Sequence, residues 1–134
     1  MPTRPASDAP RAPDIVLDAT QADRLAAAAE GALRQLPEVA GRLLDEIARA
    51  RVVAPGELPA NVVGLGREAT YRDEATGRET SVVLVMPPEA DIANARVSVL
   101  TPIGVALIGL SAGASFDWRT RNGETRRLTV TRVA

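Results

Sequence analysis

Hydrophobic positions change their spacing along this chain, and the change divides it into a helical part and a β-rich part. Between Thr20 and Leu36 the apolar residues Leu25, Ala29, Leu33 and Leu36 recur at spacings of three and four, which puts them on one stripe of a helix. Thr20, with Asp23 three positions on, reads as the N-cap pair of that helix. Pro37 interrupts the pattern. A second stripe follows at Val39, Leu43, Ile47 and Ala48 until Ala54-Pro55-Gly56 ends it. Two antiparallel helices joined by a tight turn are expected, a short coiled coil with Pro37 and Glu38 at its tip. Helices of roughly 17 and 14 residues, at about 1.5 Å per residue, give a hairpin about 20–25 Å long. Its own core is thin, so it needs support from the rest of the chain.

Upstream, Pro2, Pro5, Pro10 and Pro13 make residues 1–14 a poor helix with little to bury, and a disordered arm is expected there. Ile15-Val16-Leu17 reads as a short extended segment. From Leu58 onward, short β-rich runs alternate with turn residues, so a domain boundary is expected near residue 55. Segments 62–72 and 79–86 flank a polar turn at Asp73–Gly77, residues 96–100 form a third strand, and 115–121 with 124–133 flank Asn122-Gly123, a two-residue hairpin signal. Leu128 and Val130 share a face that Arg132 would continue, which predicts a bulge or a strand end there. Between these strands, Thr101 and Pro102 suit an N-cap and a first helical position, and Gly109 suits a left-handed C-terminal position. The intervening segment is apolar almost all round, so a short buried helix is expected. The fold class is α+β: a helical hairpin over 15–54, then a mostly antiparallel sheet with one buried helix over 55–134.

Composition narrows the chemistry. All 16 basic residues are arginine, and they are balanced by 17 acids for a net charge of −1, which leaves no basic surplus to hold a phosphate backbone, so direct nucleic-acid binding is not expected. The chain has no Cys and no His, which removes thiol nucleophiles, disulfides, sulfur- or imidazole-bound zinc and every triad with a His base. No run approaches the roughly 18 apolar residues of a membrane span, and no secretion signal is evident. A cytoplasmic monomer without cofactor is expected.

The ordered series Glu89-Ala90-Asp91-Ile92, Val97-Ser98-Val99, Thr101-Pro102-Ile103-Gly104-Val105-Ala106-Leu107-Ile108-Gly109 and Asn122-Gly123 resembles the C-terminal domain of the Gre transcript-cleavage factors over residues 58–134. That family has Glu-Ala-Asp, a strand, Ser-Pro-Ile, an Ala-Leu-Leu/Ile-Gly helix and a Gly-containing terminal hairpin in this order. The short helical hairpin resembles the relatives called regulators of nucleoside diphosphate kinase, as do Leu58-Pro59, Asn61-Val62-Val63, Gly109-Leu110, Gly113 and Trp118. The resemblance implies an FKBP-like C-terminal fold that docks on the rim of the RNA polymerase secondary channel while the hairpin projects inward. Carried over by position, the rim contact falls on Thr101, Pro102 and Ile103, with Leu100 just before them. Cleavage factors often have an acidic or amide residue where Leu100 stands.

Cleavage by those factors relies on acids at the hairpin tip that hold a second Mg²⁺, which needs carboxylate oxygens converging within a few ångströms. Near the expected tip stands Glu38. Glu30 lies eight residues before it and Asp45 seven after, about 10 Å or more along a helix axis. The expectation is therefore a non-enzymatic polymerase binder without a metal or catalytic residue, which competes with Gre factors. Two alternatives stay open: a cleavage factor using Glu38, and an interaction module with another partner. Prolyl isomerisation is disfavoured because Tyr71, Phe116 and Trp118 are the only aromatics. Trp118, Arg119 and Arg121, in a terminal hairpin whose Arg119, Arg121, Arg126, Arg127 and Arg132 outnumber Asp117 and Glu124, form a second candidate interface.

Overall fold

The computed structural model describes residues 13–119 and 122–134. Most of the expected N-terminal arm, and Arg121 of the second candidate interface, lie outside the described residues. Strand β1 (Val16–Asp18) leads directly into helix α1 (Ala19–Ala32), α2 (Pro37–Arg49) returns, and β2 (Arg51–Val53) pairs parallel to β1 with Leu17 opposite Val52. The closing strand β2 was not foreseen in the sequence, where residues 51–53 continue the second helix. The chain turns extended at Ala50 because its neighbours Arg51, Val52 and Val53 complete a ladder with β1.

The start of α1 also differs. Asp18, not Thr20, is the N-cap: its Oδ1 accepts from the Thr20 N–H at 2.7 Å and the Gln21 N–H at 3.2 Å. Its Oδ2 accepts from the Gly56 N–H at 2.7 Å. One buried carboxylate thus satisfies donors at a helix start and, 38 residues away, at the exit of the hairpin. Helix α1 stops at Ala32, short of the expected Leu36. Leu25 and Ala29 are fully buried against Ala40 and Leu43 of α2, but Leu33 and Leu36 are 39% and 43% exposed at the tip. The helical stripe outruns the surface available to cover it.

The larger sheet holds β3 (Glu68–Asp73), β4 (Glu79–Val85), β5 (Arg96–Ser98), β6 (Ser115–Arg119) and β7 (Thr125–Val133), in the order β5-β4-β3-β7-β6. All pairs are antiparallel except β4 with β5, whose crossover holds two 3₁₀ turns around Asp91. In β7 the register slips between Thr70↔Arg132 and Tyr71↔Val130, leaving Thr131 as a bulge that carries Val133 back toward the core. Residues 62–67, expected as part of a strand, are instead a loop. The Arg67 guanidinium donates to the carbonyls of Pro59, Val62 and Leu58, a closure no periodicity signals. The β6–β7 register pairs Arg119 with Thr125, so Asn122-Gly123 is not the centre of a two-residue turn as expected.

Helix α3 (Pro102–Leu107) is built as its sequence predicts: Thr101 Oγ1 accepts from the Gly104 N–H at 3.1 Å, and Gly109 has φ +83°. A Cβ at Gly104 would stand 2.6 Å from the Ser98 carbonyl oxygen and 2.8 Å from Val99 Cα. One buried cluster unites Leu17, Leu25 and Leu43 of the hairpin with Leu84, Val99, Leu107, Ile108 and Val130 of the sheet part. The thin core of the hairpin is therefore completed by the sheet. Among the described residues no helix is long and apolar enough to cross a membrane.

Two predictions follow from this packing. Gly104→Ala forces a methyl group against the backbone of Ser98 and Val99 and lowers stability by about 1–3 kcal/mol, read from chemical denaturation. The Asp18 carboxyl is held below its ordinary value chiefly by the Gly56 N–H, so its contribution is fully present above the unfolded value of 3.8 and is lost as pH falls through the lower folded one. Asp18→Ala lowers the Tm at neutral pH by several degrees, whereas Asp18→Asn, which still caps, loses less stability than the parent on acidification below that value.

Candidate functional site

Thr101 caps helix α3, and burial along this segment decides which of the expected contact residues reach solvent. The Thr101 hydroxyl donates to the Ser98 carbonyl at 2.7 Å while it caps Gly104, so this side chain is committed to holding the loop. Leu100 is buried, 9% exposed, and lies under the surface rather than on it. Pro102 is exposed and Ile103 is half-buried. Of the four positions carried over to the rim contact, two present side chains.

Ile103 lines a recess of about 310 Å³ together with Trp118 of β6. Tyr71 of β3 and Leu128 of β7 complete its apolar lining, and Thr80, Asp73, Arg78 and Arg126 its polar rim. The structure thus brings together residues that the sequence assigns to separate interfaces. Trp118 is half-buried, and Phe116, two positions away on β6, packs instead against the core. Burial raises the Tyr71 hydroxyl above its ordinary value, so it stays protonated as a donor.

The two recess arginines differ in state. Arg126 Nη1 donates to Asp73 Oδ2 at 2.8 Å, and this bond, supported by the Ala75 N–H, holds the Asp73 carboxyl below its usual range. Arg78 forms no ion pair among the described residues. An apolar socket with one uncommitted guanidinium at its rim suits a partner that offers an apolar side chain beside a carboxylate. Asp73, Arg78 and Tyr71 were legible in the sequence only as turn and strand residues. Tyr71 and Asp73 come to the recess from β3 and Arg78 from the turn that follows it.

Arg119 is exposed. The surplus charge expected of the terminal hairpin is reduced by Asp73, which comes from β3, and Asp117 lies 3.7 Å from Arg127. At the hairpin tip, Pro37 opens α2 and Glu38 lies exposed in its first turn. Glu30 lies in the last turn of α1, so reversal of the chain brings it to the same end as Glu38. Separation along one helix axis is therefore not the measure of their distance. Among the described residues no group of three or more acids is gathered that could hold a metal. The tip residues do not line the recess.

The fold, a helical hairpin rooted in a curled sheet with a buried helix, is that of a known class. The family described as "Transcription elongation factor, GreA/GreB, C-term" matches residues 58–134. This chain belongs to the GreA/GreB family. It is 32% identical to the regulator of nucleoside diphosphate kinase of Escherichia coli K12 over 119 residues, 88% of this chain and 87% of the relative. The transcription elongation factor GreA of Thermodesulfovibrio yellowstonii is 36% identical over 78 residues, but these make up 56% of this chain and 49% of that factor. A solved GreA/GreB elongation factor from Nitrosomonas europaea superposes with a TM-score of 0.70 at 32% identity, covering 91% of this chain and 98% of that one. Likeness to the regulator thus extends through the hairpin, whereas the GreA match covers about half of each chain. These relatives are named as regulators and elongation factors, and the chain is a transcription-related regulator of their family.

Proposed function

We propose that this protein binds RNA polymerase at the rim of its secondary channel and acts by occupying that site, without stimulating transcript cleavage. The observation that carries this reading is that Ile103 and Trp118 line one recess with Arg78, which has no ion pair among the described residues. Ile103 of the position matched to the family's docking loop therefore lines a recess together with Trp118. A half-buried Trp in a recess shared with a half-buried Ile is the kind of anchor that dominates binding energy in protein interfaces.

Hairpin length supports occupancy over chemistry. Helices of 14 and 13 residues span about 20 Å, and their tip presents Leu33 and Leu36 beside Glu38. Two carboxylates at most stand near that end, in first and last helical turns where solvated charge is the ordinary state. A short hairpin enters the channel and excludes longer factors by mass action, so its effect scales with its concentration relative to theirs.

The test is binding of the purified protein to core RNA polymerase, alone and against a labelled Gre factor. Competitive displacement is expected, and Trp118→Ala or Ile103→Glu weakens binding roughly 30-fold, the loss of about 2 kcal/mol usual for an interface anchor. Pull-down from cell extract that recovers no polymerase subunits overturns the reading and leaves an interaction module with another partner.

A further inference from the structure

A second recess lies on the other side of α3, where the hairpin meets the sheet part, and nothing in the docking reading uses it. It has a volume of about 330 Å³ and is walled by α2, α3, β6 and β7. Arg42 and Arg49 reach it from α2, and Arg127 reaches it from β7. Val105, Leu110 and Phe116 give it an apolar part, and the carboxylates Glu46 and Asp117 line it beside the arginines, which outnumber them three to two.

The states of the three arginines decide what the recess can hold. Arg49 is bound by Glu46 through two contacts, at 2.6 and 3.1 Å. Arg127 lies 3.7 Å from Asp117, too long for a full hydrogen bond. Arg42 has no ion pair among the described residues. Two guanidinium groups, one from each part of the protein, therefore keep unused donors in a recess whose apolar part includes an aromatic ring.

We infer that this recess binds a small organic phosphate bearing a flat ring, of about mononucleotide size. Planar guanidinium forks match phosphate oxygens in bidentate fashion. A phosphate monoester carries about −1.5 to −2 charges at neutral pH, more than a carboxylate offers. The ring of the ligand stacks near Phe116 and covers Val105 and Leu110. A recess of this volume stands at the lower end of the usual range for small-molecule sites, roughly 300–1,000 Å³. Because Arg42 belongs to the hairpin and Arg127 to the sheet part, the bound ligand bridges them. The inference rests on this recess alone and stands or falls independently of polymerase binding.

The experiment is calorimetric titration of the full chain with AMP, phenyl phosphate, adenosine and inorganic phosphate at low ionic strength. AMP and phenyl phosphate are expected to bind saturably, ahead of adenosine and inorganic phosphate. Arg42→Ala and Arg127→Ala each weaken AMP about tenfold, the loss of one charge-assisted contact, while Arg96→Ala, an equal loss of charge on the exposed strand β5, changes nothing. Circular dichroism confirms that the exposed-arginine variants stay folded. Absence of saturable AMP and phenyl phosphate binding at low millimolar concentration overturns the inference, as does equal weakening in all three variants. Inorganic phosphate binding as tightly as AMP overturns the part assigned to the ring.

Discussion

Backbone hydrogen bonds at Gly109 and Leu110 hold the two parts of this protein in one arrangement. The Gly109 carbonyl accepts from the Val16 N–H at 3.0 Å, its N–H donates to Val63 at 2.9 Å, and the Leu110 carbonyl accepts from the Val63 N–H at 2.8 Å. The segment leaving α3 therefore runs between the root of the hairpin and the loop that leads into the sheet. The approach is so close that a Cβ at Gly109 would stand 2.8 Å from Ile15 Cβ, and the positive φ of this residue excludes most side chains as well. Asp18 ties the same root to Gly56. Together these bonds set where α1 points, and they seat α3 so that one recess opens on each side of it.

The sequence made the elements legible where a local rule decides them. Thr101 and Pro102 begin α3, Gly109 ends it, and Pro37 opens α2, each through a property of the residue itself. The bulge in β7 could be read from an arginine standing where a core position was due, and it falls one residue away, at Thr131. What escaped depends on partners distant in the chain. Strand β2 is a strand only because β1 lies beside it, and the 62–67 loop is a loop because Arg67 binds its carbonyls. Thr20 and Asp18 are comparable caps by type, and a hydrogen bond across 38 residues selects Asp18.

The candidate site was legible in pieces. Ile103 and Trp118 were marked for separate reasons, and the fold brings them into one recess with Tyr71 and Leu128. Leu100 was marked only by its place in a motif, and burial removes it from the surface. Charge changed most between the two views. Counted along the terminal hairpin, the arginines form a surplus. In three dimensions Asp73 binds Arg126, and the recess guanidinium without an ion pair among the described residues is Arg78 from the neighbouring turn. Net charge along a segment says little about a surface to which another strand contributes a carboxylate.

Family membership and geometry join at the hairpin. A tip with exposed Leu33 and Leu36 beside Glu38, on helices of 14 and 13 residues, is built to fill space more than to gather a divalent cation. The most direct test of this account is cleavage of nascent RNA in a backtracked polymerase complex, with this protein added alone and together with a cleavage factor. The account predicts no shortening of the RNA by this protein alone and progressive inhibition of the cleavage factor as its concentration rises. RNA shortening by this protein alone, abolished by Glu38→Ala, would contradict it.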